Sequence, residues 1–210
     1  MLKVGLTGNL CSGYEEVAIQ FQKLGVPVFD ADVVLKFMIH YDEMVSKDIR
    51  VTFGEKSFEN GFLNERIFNS TQKLELLLNT VHKKLMKSWE NFRLKHKTEP
   101  YVIFKYALLF ERNIDSSMNF TINTFRPKND RIEVYLKKNL VPFIEAYSII
   151  ENGPDDIQKN KLATYIIHNY SDASVGIEAQ VKSLDHKLRG RVSTHVDSLE
   201  TNSILRNVML

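Results

Sequence analysis

The sequence predicts an α/β fold in which helices cover both faces of a largely parallel sheet. Short apolar runs alternate along the 210 residues with segments whose apolar residues recur at helical spacing, and this alternation is typical of such sheets. The first predicted strand, helix and second strand also follow one another within about thirty residues, the length of one βαβ unit. Local signals place each element.

The first unit starts with an apolar run at residues 2–6 that ends in a glycine turn, as expected of a parallel strand buried on both faces. A helix is predicted over residues 15–24, where apolar residues recur at helical spacing. Gly25 stands where a helix C-cap belongs. Residues 26–29 form the second predicted strand, and the segment Asp30-Ala31-Asp32 follows it.

The rest of the chain continues the alternation. Further helices are predicted over residues 33–44, 71–97, 131–140, 144–151 and 175–188. Further strands are predicted over residues 101–104, 120–125 and 165–167, where β-branched and aromatic residues gather. Asn64 is a candidate N-cap for one more helix. Residues 189–210 remain as a tail, for which an amphipathic docking helix and a frayed terminus are both open.

Composition and charge exclude several classes of protein. Hydrophobic residues make up 43% of the chain and charged residues 26%, which is ordinary for a globular protein and unlike a disordered one. Lys and Arg number 28 against 26 Asp and Glu, so no strong positive field points to an anionic partner. We therefore expect neither nucleic acid nor a membrane as a partner.

Cysteine content and hydropathy bear on location. Cys11 is the only cysteine, which excludes an internal disulfide framework and a cysteine-based zinc cluster, and we predict no metal site of that kind. No apolar stretch is long enough for a signal peptide or a membrane span. A cytoplasmic protein is the expectation, with a viral or organellar origin left open.

The segment between the first strand and the first helix carries the strongest functional signal. It reads Gly8, Asn9, Leu10, Cys11, Ser12, Gly13, Tyr14 and Glu15. The two glycines have the spacing and context of a phosphate-binding loop. In a working loop, backbone N–H groups bind phosphates, a lysine neutralises them, and a Ser or Thr hydroxyl holds Mg²⁺. Tyr14 stands in place of the lysine and Glu15 in place of the hydroxyl.

Coulomb's law bounds the cost of these two replacements. One pair of unit charges about 4 Å apart is worth ~4 kcal/mol at an effective dielectric constant of about 20. An attraction lost and a repulsion gained therefore amount to ~8 kcal/mol before screening by solvent. The loop alone leaves two interpretations open: a plain glycine turn with no ligand, or a phosphate loop that has lost its cation.

The motifs of the chain resemble those of dephospho-coenzyme A kinases, whose usual opening is GLTGGIGSGKSTV followed by LG-[IV]-PV and DAD. The matching residues are Val4-Gly5-Leu6-Thr7-Gly8, Ser12-Gly13, Val17, Leu24-Gly25-Val26-Pro27-Val28 and Asp30-Ala31-Asp32. Later matches are Phe53-Gly54, Leu63-Asn64, Ile67-Phe68, Val81-His82, Pro100-Tyr101-Val102-Ile103, Ala107-Leu108-Leu109-Phe110-Glu111 and Tyr165-Ile166-Ile167-His168-Asn169. They follow the family's order over roughly residues 1–188.

The resemblance implies a P-loop kinase-like fold with a parallel sheet of about five strands flanked by helices. It further implies one domain at residues 1–188, with a helical substrate lobe at about 33–97 and a lid at about 131–155, and a tail at 189–210. Family members transfer the γ-phosphoryl group of ATP to the ribose 3′-hydroxyl of dephospho-coenzyme A with Mg²⁺. ATP and Mg²⁺ are thus the expected cofactors if the chain is active.

Two further site predictions follow from the resemblance. Asp32 matches the family's proposed general base, and a carboxylate at a strand end can accept a hydroxyl proton. Without the resemblance, a helix N-cap is the better interpretation of Asp32 and of Asp30. In the lid, the family's arginine pattern is absent, and Lys137 and Lys138 are the charges left to contact phosphate. Lysine is the poorer bidentate clamp.

Three functions compete on these grounds. The first is a catalytically impaired or inactive relative, a pseudoenzyme that binds a protein or a small ligand. The second is an active kinase, in which Glu15 would hold Mg²⁺ and Lys105, Lys137 or Lys138 would supply the missing charge. The third is a module that binds coenzyme A or dephospho-coenzyme A without transfer. The replaced loop residues favour the first function, because phosphoryl transfer depends on positioning and electrostatic stabilisation.

Overall fold

A computed structural model of the protein describes residues 1–59, 62–64, 70–170 and 175–208. The chain forms two compact units. The first comprises Met1–Phe29 together with His96–Leu210, and the second comprises Asp30–Lys95. In the described part of the chain, no helix combines the length and apolar character needed to cross a membrane.

A five-stranded sheet forms the centre of the first unit. Its strands are β1 (Leu2–Gly8), β2 (Val28–Asp30), β5 (Tyr101–Lys105), β6 (Phe120–Phe125) and β7 (Tyr165–His168). They lie in the order β2-β5-β1-β6-β7. The central strand β1 runs parallel to both β5 and β6, and β7 runs parallel to β6. The predicted α/β class and the predicted sheet of about five strands are confirmed.

Helices complete the first unit. They are α1 (Tyr14–Lys23), α5 (Lys128–Lys138), α6 (Phe143–Glu151), α7 (Asp156–Leu162) and α8 (Ile177–Val208). Buried residues of β1, α1 and α8 form the main core, including Leu6, Phe21 and Val181. The β1 strand is buried on both faces apart from Lys3, which is partly exposed, as the apolar run predicted.

Where the structure describes it, the second unit contains three α-helices and a small antiparallel hairpin. These elements are α2 (Ala31–Tyr41), α3 (Glu43–Phe53), β3 (Phe58–Glu59), β4 (Phe62–Leu63) and α4 (Thr71–Lys95). A single helix was predicted over residues 33–44, and the structure has two. Asp42 divides them, because its side chain accepts a hydrogen bond from the N–H of Val45 and so caps α3.

Two other elements differ from the sequence prediction. The seven-residue helix α7 was not predicted, because it is short and polar and has no apolar period; Asp155 caps it. Helix α8 was predicted to end near Leu188, and its backbone instead stays helical to Val208, so the predicted tail continues that helix. The helix predicted after Asn64 falls on residues 65–69, outside the described residues.

Candidate phosphate-binding site

Both glycines of the loop between β1 and α1 are required by its geometry. A Cβ atom at Gly8 would collide with Oγ of Ser12. Gly13 has a φ of 90°, in the left-handed region that glycine adopts readily, and a Cβ atom there would collide with Nδ2 of Asn169. The loop backbone is therefore bare at both positions, as a close approach of phosphate to main-chain N–H groups requires.

The carbonyl groups of three consecutive loop residues each accept a hydrogen bond from a side chain outside the loop. The pairs are Arg131 Nη1 to Leu10 O at 3.3 Å, Arg126 Nη1 to Cys11 O at 3.2 Å, and Asn169 Nδ2 to Ser12 O at 2.7 Å. Arg126 also donates from Nε to the carbonyl of Asn169 over 2.8 Å. The carbonyl side of the loop is thus satisfied entirely by protein.

An ion pair between buried Arg131 and partly exposed Asp156 joins the same loop to two helices. Arg131 lies in α5 with 1% of its surface exposed, and its Nη2 donates to Oδ2 of Asp156, the first residue of α7, over 2.5 Å. Asn9 donates from Nδ2 to Oδ1 of Asp156 over 2.6 Å and to the carbonyl of Pro154 over 2.8 Å. Asp156 therefore connects Asn9 with the guanidinium group that binds the carbonyl of Leu10.

Tyr14 begins α1 at the position where a working phosphate loop has its lysine. Its side chain is buried, with 9% of the residue exposed. The ammonium group of Lys105 lies 4.8 Å from the centroid of the Tyr14 ring, a distance at which a cation is attracted to an aromatic face. Lys105 is 2% exposed and ends β5, where it pairs with Leu6 of β1. A cation thus lies beside position 14 without belonging to the loop.

Glu15 and Glu16 occupy the first turn of α1, and both side chains are exposed. Carboxylates at this end of a helix are stabilised by the helix dipole and compete there with an anionic ligand. Glu15 is the carboxylate that the loop region offers to a metal ion, since Mg²⁺ usually binds one or two carboxylates together with substrate phosphates. No cluster of three or more His, Cys, Asp or Glu side chains suited to a metal occurs among the described residues.

A second buried ammonium group lies at the end of β1. Lys159 of α7 is 2% exposed, and its Nζ donates to the carbonyl of Ala107 over 2.6 Å and to Oγ1 of Thr7 over 3.4 Å. Nζ also lies 3.3 Å from Oε1 of Glu111. The ion pair and the hydrogen bonds make burial of this charge tolerable, and they tie α7 to the strand that leads into the loop.

The thiol of Cys11 reports the electrostatics around the loop. Burial raises the pKa of this thiol above its ordinary value. Lys138, Arg126 and Arg131 oppose the shift and lower the pKa, whereas Glu15 raises it. Three cations and one anion therefore act on the middle of the loop, so the loss of a lysine at position 14 does not leave it without positive charge nearby.

Comparison with known proteins places these features in a family. Residues 2–174 match the family described as CoaE, dephospho-CoA kinase. The chain belongs to the dephospho-CoA kinase family. The dephospho-CoA kinase of Buchnera aphidicola subsp. Schizaphis graminum is 29% identical over 153 residues, covering 70% of this chain and 72% of that protein. The resemblance inferred from the sequence motifs is confirmed.

Two solved structures share the fold of this chain. TT1252 from Thermus thermophilus has a TM-score of 0.73 at 22% identity and covers 89% of this chain and 97% of its own. The dephospho-CoA kinase from Campylobacter jejuni has a TM-score of 0.61 at 15% identity, with coverage of 90% and 97%. At these identities the likeness establishes the fold.

Within the dephospho-CoA kinase family, nucleotide polyphosphate is the expected ligand of this loop, and the residues fit it in part. The bare glycines at positions 8 and 13 fit a phosphate. Position 14 does not, because a buried aromatic ring stands there instead of an ammonium group. The loop thus has a bare backbone at its two glycines and a buried aromatic ring at position 14.

Asp32 lies in the second compact unit, as the second residue of α2. The N-cap of this helix is Asp30, whose Oδ1 accepts a hydrogen bond from the N–H of Val33 over 3.1 Å. The cap interpretation thus holds for Asp30, while Asp32 occupies the first helical turn and is partly buried. Its role as general base stays a prediction.

The predicted site residues 8–15 form one continuous loop and the first turn of α1. Lys138, in the last turn of α5, lowers the pKa of Cys11 in that loop. Lys137 precedes it and is exposed.

Sequence analysis missed five residues that touch the loop or the end of β1: Arg126, Arg131, Asp156, Lys159 and Asn169. Arg126 and Asn169 directly follow β6 and β7, and the carboxyl ends of parallel strands are where ligand sites form in such sheets. Their position directly after two predicted strands could therefore have identified Arg126 and Asn169.

Proposed function

We propose that this member of the dephospho-CoA kinase family transfers phosphoryl groups from ATP to the 3′-hydroxyl of dephospho-CoA with greatly reduced efficiency. One observation carries the proposal: Tyr14 occupies the lysine position as a buried ring, with the ammonium group of Lys105 held 4.8 Å from its centroid. A neutral ring at this position cannot neutralise the β- and γ-phosphates.

The size of the expected defect follows from electrostatics. Phosphoryl transfer relies on positioned charge more than on covalent chemistry. Replacing the lysine by a neutral ring and adding Glu15 removes up to ~8 kcal/mol of unscreened interaction with a phosphate about 4 Å away. The cations around Cys11 compensate for part of this loss. If about 4 kcal/mol remains, the rate falls by roughly a thousandfold.

If phosphoryl transfer is lost altogether, ligand binding without transfer is the activity that the fold still allows. The bare loop backbone and its surrounding cations suit the polyphosphate of a nucleotide, and the helical lobe around Phe53 to Trp89 is where dephospho-CoA or coenzyme A would bind. Association with a protein partner is the other use that a fold with a weakened catalytic loop allows, because function belongs to sites and not to folds.

Restoring the family residues tests the proposal. In a coupled kinase assay with ATP, Mg²⁺ and dephospho-CoA, the variant Tyr14→Lys with Glu15→Ser is expected to exceed the unmodified protein by at least about a hundredfold in kcat/KM. Tyr14→Lys with Glu16→Ser is the matched control, because it removes an exposed carboxylate from the same helical turn while Glu15 stays. An unmodified protein with ordinary turnover, unaffected by the restoring pair, would contradict the proposal.

A second candidate is an ordinary kinase in which Lys105 replaces the loop lysine. The position of its ammonium group beside residue 14 favours this candidate, since lysine acts on phosphate as a point charge and need not come from the loop. Lys105→Met should then abolish product formation, Lys105→Arg should keep part of it, and Asp32→Asn should remove it as the family's general base. Unchanged turnover in Lys105→Met rejects this candidate.

A further inference from the structure

The carbonyl side of the loop is the feature that the family's reaction leaves unexplained. A loop that binds phosphate uses its N–H groups, so its carbonyl groups need other partners. Here the carbonyl groups of three consecutive residues each have one, supplied by Arg131, Arg126 and Asn169. Two of these donors are guanidinium groups, whose charge strengthens the hydrogen bonds.

The loop needs this support because part of its backbone is strained. Cys11 has a φ of 62°, in the left-handed region that disfavours residues with a Cβ atom. Such a conformation persists where its surroundings over-determine it. The hydrogen bond from Arg126 to the Cys11 carbonyl, and those to the carbonyl groups on either side, fix the orientation of the peptide groups around this residue.

The ion pair between Arg131 and Asp156 anchors this support. Arg131 is 1% exposed, and its partner carboxylate also accepts the hydrogen bond from Asn9. Removing either member leaves the other charge buried or the loop amide without its acceptor. The pair thus joins loop residues 9 and 10 to the beginnings of α5 and α7 through contacts within the protein.

The geometry points to Arg131 and Asp156 as positioning residues that hold loop residues 9–12 in their phosphate-binding shape before a ligand arrives. Arg126 and Asn169 extend the same support to Cys11 and Ser12. The inference rests on the loop being the phosphate site of the proposed function, and it applies whether transfer is weak or ordinary. Since Arg131 lies in the predicted lid segment, a displacement of the first turn of α5 would also release the loop.

Cys11 is a built-in reporter for the test, because it is the only cysteine and lies within the loop. The reaction rate of its thiol with a disulfide reagent is measured in ligand-free protein, over a range of pH, for the unmodified chain, Asp156→Asn and Arg131→Met. We expect at least a tenfold faster reaction in both variants. In Arg131→Met this acceleration opposes the electrostatic effect, since Arg131 lowers the pKa of Cys11 and its loss disfavours the reactive thiolate.

A matched control separates loop release from general destabilisation. Asp185 is a carboxylate of the same unit that accepts hydrogen bonds from Tyr101 and Arg189. Asp185→Asn should lower the urea concentration at the midpoint of unfolding. The reaction rate of Cys11 should stay unchanged when each protein is measured at a urea concentration equally far below its own midpoint. Inorganic pyrophosphate should slow Cys11 in the unmodified protein, and higher concentrations should be needed in Asp156→Asn.

Each outcome decides the inference. Acceleration in Asp156→Asn but not in Asp185→Asn supports it, whatever the kinase assay gives. Equal acceleration in both, or none in Asp156→Asn, overturns it. If Arg131→Met does not fold, Arg131→Lys is used instead, because it keeps the charge and removes the planar fork. If Cys11 then reacts at the rate of the unmodified protein in both Arg131→Lys and Asp156→Asn, the inference is also overturned.

Discussion

The two ends of the loop at residues 8–15 differ in how closely they match the family's sequence motif. Residues 8–13 retain a shape that demands glycine at both ends and that side chains outside the loop support. The next two residues, Tyr14 and Glu15, differ from the family pattern in charge while still forming the first turn of a helix. The difference teaches that the backbone shape of this loop and the charge at its helical end have separate structural causes.

The largest effect is expected from filling the loop. In Gly8→Ala the added Cβ atom would meet Ser12 Oγ, with Tyr14 Cβ at 2.9 Å and the Thr124 carbonyl oxygen at 3.1 Å. Overpacking of this kind should cost about 3 kcal/mol of unfolding free energy, measured by urea denaturation. Gly190→Ala is the control, because nothing lies near its added Cβ in α8, and it should stabilise the helix by about 0.5–1 kcal/mol. An undiminished stability in Gly8→Ala would show that the shape is not constrained.

The ion pair between Arg131 and Asp156 should give an effect of similar size when broken from one side. Arg131→Met leaves Asp156 without its guanidinium partner, and we expect a loss of about 3 kcal/mol in unfolding free energy. The double variant with Asp156→Leu should lose less than the sum of the single variants, since neither charge then remains unpaired. A strictly additive double-mutant cycle would mean that the two side chains are not coupled.

A smaller effect is expected where the charge has changed. Tyr14→Lys brings a second ammonium group beside Lys105 and removes the aromatic ring that Lys105 contacts, so stability should fall by about 1–2 kcal/mol. Inorganic pyrophosphate should recover most of this loss in a thermal unfolding assay, because an anion screens the two cations. Tyr14→Phe is the control, with the ring retained and little change. If Tyr14→Lys is as stable as the unmodified chain, the prediction is wrong, because the two ammonium groups then do not repel each other.

The smallest effect concerns the pH dependence of Cys11. Burial raises the pKa of its thiol, so its reaction with iodoacetamide should rise over a pH range above that of a free cysteine. Lys138→Gln should move this range further up, because Lys138 lowers the pKa, and Glu15→Gln should move it down. Shifts of the same sign in both variants would contradict the charge arrangement around the loop.

Prediction from sequence succeeded where a pattern is local. The apolar run of β1, the helical period of α1 and the spacing of Gly8 and Gly13 each identify an element or a turn without reference to the rest of the chain. The division of the predicted helix 33–44 at Asp42, and the short helix α7, were missed because a capping side chain and a polar helix leave no periodic signal. Arg126 and Arg131 were missed as partners of the loop for a related reason, since neither lies in the loop motif or in the lid pattern used for the prediction.

By itself, the sequence determined the family, the α/β class and the change of charge at Tyr14 and Glu15, because each depends on which residues follow one another in the chain. Only the tertiary structure decided which cations surround the loop. Arg126 and Arg131 are 115 and 121 residues away from the loop carbonyl groups that they bind. They reach the loop because the parallel strands end at one edge of the sheet. Electrostatic interaction depends on distance in space, and sequence separation carries no information about that distance until the sheet is formed.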